Sequence, residues 1–142
     1  MAHQFSTAVR NARLDAIETT IGTSAVLKIR TGAPPANVAA ADSGSVLATL
    51  NLPSDWMAAA ASGSKDKSGT WEDLTADASG NAAHFRIYAS DGTTPHWQGT
   101  VTITGSGGDL TLNAPDGGSG AAAIAANQKV TITSFTITDA NG

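Results

Sequence analysis

Two periods of hydrophobic patterning divide the chain. Over residues 5–21 the apolar positions recur at helical spacing, with Ser6 or Thr7 placed to cap the start and Gly22 placed to end it. On a helical wheel Phe5, Ala8, Val9, Ala12 and Ala16 share one stripe, while Leu14, Ile17 and Ile21 fall on a second face well apart from it. An ordinary surface helix needs only one stripe. Two stripes predict a helix wedged between its own domain and a second surface, such as another subunit, or else a helix tucked beneath a loop.

Beyond Gly22 the period drops to two. Ala25, Leu27 and Ile29 alternate with Val26, Lys28 and Arg30, and Gly32-Ala33-Pro34-Pro35 stops that strand because proline offers no ladder donor. Residues 36–45 are small and loop-like. A second strand covers 46–52, with Val46, Ala48, Leu50 and Leu52 on one face. Residues 55–66 (DWMAAAASGSKD) fit either a helix of a turn or two or a bulged strand. A short strand follows over 70–74, then a turn at 77–81.

The clearest signal is a hairpin of 82–89 with 96–104 across an Asp91-Gly92 turn. Ala83, Phe85, Ile87 and Ala89 point one way on the first strand, and Trp97, Gly99, Val101 and Ile103 point one way on the second. Pairing across residues 91–94 sets His84 opposite Val101 and His96 opposite Ala89. A short strand is expected over 109–113, an irregular loop over 114–127, and a last strand over 129–138. In that last strand the apolar parity slips at Thr133-Ser134, which predicts a β-bulge or a strand that changes sheets. The sum is an all-β jelly-roll or Greek-key sandwich of about seven or eight strands (residues 23–142) with an N-terminal amphipathic helical arm (residues 1–22).

Composition sharpens this picture. Ala, Thr, Gly and Ser supply 73 of 142 residues, and charged residues are 14% against about 25% in an average soluble domain. Few large apolar residues remain, enough for a thin core between sheets. The low charge also suggests surface covered by partners. A net charge of −4 with eight Lys+Arg argues against nucleic-acid binding. No apolar run reaches the length of a membrane span, and the start lacks the features of a secretory signal. Zero cysteine removes disulfides, thiolate metal sites and cysteine nucleophiles.

Candidate chemistry is sparse. His84 and His96 stand several rungs apart on the hairpin and His3 lies near the chain start, so no metal site is expected; strand histidines on a half-wet face are the plainer reading. Asp77, Ser79 and Asn81 have calcium-loop spacing, but Ala82 and Tyr88 occupy the positions that need Gly and Glu. The chain has no Gly-x-Ser-x-Gly elbow, and Glu72 and Asp73 point to opposite faces of a strand. No catalytic residue and no cofactor are expected. Trp56, Trp71 and Trp97 fit core positions or a sugar-stacking platform, with Trp56 the best candidate for exposure because it follows a Pro-Ser-Asp turn.

Several strings carry a resemblance. Residues 5–18 (FSTAVRNARLDAIE), 27–35 (LKIRTGAPP), 84–88 (HFRIY), 91–93 (DGT), 98–101 (QGTV) and 130–138 (VTITSFTIT) resemble small virion proteins of tailed bacteriophages. The nearest group is the capsid cement, or decoration, proteins of short-tailed phages. The chain departs from that group in its long Ala/Gly-rich 114–127 loop. The resemblance implies a jelly-roll, assembly as a homodimer or homotrimer, the major capsid protein as partner, and a place on the outer surface of the capsid after synthesis in the host bacterial cytoplasm. On that expectation Phe5, Val9, Leu14, Ile17 and Ile21 carry docking or self-association. The alternative is a carbohydrate- or surface-binding module of a tail or fibre, using Trp56.

Overall fold

In the computed structural model, which describes residues 3–112 and 122–141, the chain is mostly β with one N-terminal helix. Helix α1 spans Thr7–Ile21. Ser6 caps it from an extended backbone conformation, its hydroxyl accepting from the Val9 amide at 3.3 Å. Gly22 ends it at φ +91°, a conformation open to glycine at little cost, with its amide donating to the Glu18 carbonyl.

The strands are β1 (Val26–Arg30), β2 (Val46–Asn51), β3 (Ser64–Asp66), β4 (Trp71–Asp73), β5 (Gly80–Asn81), β6 (His84–Tyr88), β7 (Pro95–Ile103), β8 (Leu110–Leu112), β9 (Ala123–Ile124), β10 (Val130–Ile132) and β11 (Thr136–Thr138). Five of them form one sheet in the order β2-β1-β6-β7-β8, antiparallel except for the β7–β8 pair. The other six make two-stranded antiparallel ladders, β10 with β4, β11 with β3 and β5 with β9. Of the loop expected over 114–127, residues 114–121 lie outside the described residues, and the remainder contains β9.

The core forms against one face of the five-stranded sheet. Leu27, Ile29, Ala48, Leu50, Phe85 and Ile87 line that face, and Trp56, Trp71, Ile132 and Phe135 cover them. Phe135 is the aromatic hub, with ring centroids 5.4 Å from Trp71, 5.2 Å from Trp97 and 5.9 Å from Phe85. It occupies the break between β10 and β11, which pair with different partners. The parity slip at Thr133-Ser134 is therefore a strand that changes ladders, and the change turns Phe135 inward. Leu47 has the opposite parity to the expected face of 46–52, yet it too is fully buried, under the backbone of Gly80.

Two expectations are corrected in detail. Of the two alternatives for residues 55–66 the helix is absent and the bulged extended form is nearer: the bridges Met57–Lys67 and Ala61–Ser64 leave one extra residue on the first side, and the second side is β3. Met57 bridges to Lys67, and a tight turn closes between Ala61 and Ser64 through Ser62 and Gly63, both at positive φ. That pair of left-handed residues is the geometry of a two-residue hairpin turn and overrides the helix propensity of the alanines. In the main hairpin His84 lies opposite Thr100, not Val101, and His96 does not face Ala89. The turn closes between Ala89 and Thr94, and a register shift between Ile87 and Tyr88 pairs Tyr88 with Pro95 and leaves His96 as the extra residue. The shift puts Phe85 against Gly99 and Ile87 against Trp97, so both core faces point the same way.

The second face of the sheet is covered in part. Residues 31–45, between β1 and β2, run across it as a strap. Arg30, His84, Arg86 and Tyr88 are buried beneath it, so the half-wet histidine face expected around His84 is dry.

Candidate interaction surface

Helix α1 is held to the body along one side by both apolar and charged contacts. Leu14 and Ile21 are buried, and Ile17 packs against the core. Asp15 accepts from Lys65 Nζ at 2.7 Å and from the Ala60 amide at 2.9 Å; Glu18 accepts from the Met57 amide at 3.1 Å and approaches the same ammonium at 3.0 Å. The Lys65 hydrogen bond, helped by the Ala60 amide, holds the Asp15 carboxyl below its usual range. Burial alone would lower the Lys65 ammonium, but its bonds to Asp15 and Glu18 outweigh burial and raise it. Further toward the helix start, Asn11 accepts from the Gly63 amide and Arg10 donates to the Asp139 carbonyl. The guanidinium of Arg10 lies where a β-carbon on residue 63 would sit, so a side chain there would displace Arg10, and the φ of +77° disfavours one as well. The helix expected as an arm thus shares the core of the strand domain.

Its other side faces outward. Phe5 is 45% exposed and Val9 43%, and Ala8, Ala12 and Ala16 are exposed with them. These are the five positions of the first stripe read from the sequence. The stripe begins in a fixed place. The Asn141 side chain accepts from the Phe5 amide at 2.8 Å and donates to its carbonyl at 3.2 Å, and the Arg13 guanidinium stands 5.1 Å from the Phe5 ring centroid while pairing with Asp139 at 3.2 Å. Beside the stripe an open groove of about 450 Å³ runs between α1 and the β7 strand, bounded by Ala16, Ile17, Thr20, His96 and Trp97.

The expected site residues therefore divide. Phe5 and Val9 lie together on the outward face. Leu14 and Ile21 are buried, 4% and 6% exposed, and reach open space only at the edges of grooves beside α1; Ile17 is half-buried and lines the same grooves. Trp56 is fully buried, its indole nitrogen donating to the Gly22 carbonyl at 2.9 Å and its ring 5.9 Å from Trp71. The Pro-Ser-Asp turn before it suggested exposure; the C-terminal end of α1 closes over that position instead. Trp71 is fully buried too, so neither ring offers a flat face to a sugar.

Sequence reasoning missed the charged network under the strap. Arg86 donates to the carbonyls of Val38 and Ala40 and to Asp42; Arg30 donates to the carbonyls of Ser43 and Gly44; Tyr88 donates to Asp42 at 2.7 Å. Burial pushes the Tyr88 phenol up to about 12, aided by Asp42, and burial holds His84 below its usual value. The available signal was alternation: Lys28 and Arg30 share a parity opposite to the core on β1, as His84 and Arg86 do on β6. What the sequence did not show is that small residues 31–45 would lie over them.

Among the described residues no three His, Asp or Glu side chains gather as a metal site, and no helix is long and apolar enough to cross a membrane. Among the described residues, those lining a second cavity of about 410 Å³ between β8, β9 and β10 include no carboxylate or histidine. Comparisons with protein-family models, with curated proteins and with solved structures find no match to this chain.

Proposed function

We propose that the chain is a non-catalytic assembly protein that docks through the outward face of α1. The observation that carries this reading is the pairing of opposite roles on one helix: an inner side locked by Leu14, Ile21 and the Lys65 bridges, and an outer side that leaves Phe5 and Val9 in water. A monomer leaves much of that second stripe in water, whereas a partner surface would bury it. The resemblance of the framework strings to virion proteins supplies the setting. The protein is a capsid decoration protein on the outer surface of a phage shell, its partner the major capsid protein, its own copies associating as dimers or trimers, and its strands a variant of the jelly-roll or Greek-key sandwich of that group.

The mechanism is mechanical. A specific contact buries about 800 Å² per partner. Copies repeated over a closed shell act with avidity that one contact lacks. Alanines at positions 8, 12 and 16 let a partner backbone approach closely around the Phe5 and Val9 side chains, with little charge to desolvate.

Deleting residues 1–21 is a poor test, because it would strip Leu14 and Ile21 from the core. The sharper variant is the double substitution Phe5→Ser, Val9→Ser. It is expected to leave the melting temperature unchanged within about 3 °C, as surface changes do, and to abolish co-sedimentation with mature shells. Co-sedimentation equal to that of the parent chain would remove this reading. For the carbohydrate-binding alternative, Trp56 and Trp71 are buried, and Trp97, half-buried in the wall of the groove beside α1, is the ring that keeps open surface.

A further inference from the structure

The sheet face beneath the strap leaves three buried polar atoms without a hydrogen-bond partner: Nε of Arg86, Nε2 of His84 and Oε1 of Gln98. The strand register makes them neighbours. Arg86 and Gln98 are directly opposed across β6 and β7, and His84 stands two residues from Arg86 on the same strand face. The other polar end of each side chain is tied to the strap. Gln98 Nε2 donates to the Pro35 carbonyl at 2.7 Å, His84 Nδ1 meets the Gly32 carbonyl at 2.8 Å, and the two Nη atoms of Arg86 are taken up by Val38, Ala40 and Asp42.

Those ties decide what the three remaining atoms offer. A backbone carbonyl only accepts, so the Gly32 contact places the imidazole proton on Nδ1, and Nε2 presents a lone pair. The Pro35 carbonyl likewise fixes the NH₂ end of Gln98, leaving its oxygen free to accept. Arg86 Nε always carries hydrogen. The set is one donor and two acceptors on the strap side of the sheet, all three atoms buried, with His84 and Arg86 fully enclosed and Gln98 half-buried at their edge.

We propose that these three atoms bind a single internal water molecule, which accepts from Arg86 Nε and donates to His84 Nε2 and Gln98 Oε1. Water has two hydrogens and free lone pairs, and three hydrogen bonds is the usual number for an internal water. The same triad disfavours the other small occupants. An anion would face two acceptors, and a metal cation would face the Arg86 guanidinium. The water completes the seam between strap and sheet: every polar end of His84, Arg86 and Gln98 is then bonded either to the strap or to the shared molecule.

The test is a crystal structure of the full chain that resolves ordered solvent, joined to nitrogen NMR of His84 and a relaxation count of long-lived waters. One solvent peak is expected at about 2.7–3.2 Å from all three atoms, with the imidazole proton on Nδ1. The Gln98→Met variant, which removes one acceptor and fills the space, is expected to hold one fewer long-lived water. Direct bonding of Arg86 Nε to Gln98 Oε1, a halide at that place, a proton on His84 Nε2, or an unchanged count in the variant would each overturn the proposal.

Discussion

At the scale of single residues, two positions show how the sheet is tuned on its two faces. On the core side Gly99 lies opposite Phe85, and a β-carbon there would stand 2.6 Å from the Phe85 ring. The ring needs that space because it is also in edge contact with Trp97 and Phe135. Gly99→Ala forces the aromatic cluster to shift and is expected to cost about 1–3 kcal/mol. A denaturant midpoint indistinguishable from the parent would contradict that packing. On the strap side, Tyr88 is the chain's single tyrosine, so its ionisation can be read without assignment. Burial and the bond to Asp42 push the phenol up to about 12, and the native protein is expected to show almost no phenolate absorbance at pH 10. Half-ionisation at that pH in the folded chain would mean that the strap does not cover the ring. Gly99 could be read as a core-parity position from alternation alone. The ring that covers it depends on a cross-strand register set by the bulge at His96, which the turn sequence does not specify.

Elements differ in how much of them the pattern reveals, and the reason is the range of the forces that shape them. The two stripes of α1 were legible because helix geometry is local: spacing alone separates Leu14 and Ile21 from Phe5 and Val9. The change of ladder at Thr133-Ser134 was legible because a parity slip is also local. The strap was not. Residues 31–45 have little hydrophobicity and no period, and apart from the adjoining Arg30 they are held from afar, by His84 and Arg86 on β6. Trp56 was misread for the same reason, since its cover is the end of α1, far off in sequence. The strap's anchors also predict its response to acid. His84 is held neutral by burial, beside Arg30 and Arg86, so the unfolded chain takes up a proton more readily than the folded one. Stability is then full above pH 6.5 and falls as pH drops below it toward the folded-state value, with a slope of at most about 1.4 kcal/mol per pH unit for one proton. Burial would raise Asp42, but its bonds to Tyr88 and Arg86 hold it low, so its contribution persists to lower pH and is lost below the usual carboxylate range. Chemical denaturation across pH 4–7 is expected to show the first slope in the parent and a flatter profile in His84→Asn; equal profiles would exclude His84 as its source.

For the molecule as a whole, the division of labour follows from where its few charges are placed. Of the charged groups on α1, Asp15 and Glu18 turn inward to Lys65, and Arg10 and Arg13 turn to the chain end at Asp139. The middle of the outer face is left to Phe5, Val9 and alanines. The body behind it is tied together by an aromatic core on one side of the sheet and a polar seam on the other, a stiff mount for α1 in its proposed docking role. The absence of cysteine permits a direct reading of that face, because Val9→Cys introduces a unique thiol. The decisive measurement is the labelling rate of that thiol in free protein and on decorated shells, with a separate Leu74→Cys variant, at a position 66% exposed and outside α1, as the reference. The account predicts that the residue 9 thiol reacts readily in the free chain and is protected on the shell by at least about tenfold, corresponding to ~1.4 kcal/mol of covering contact, while the residue 74 thiol keeps its rate. Equal labelling of residue 9 in both states, on shells that carry the protein, would contradict it.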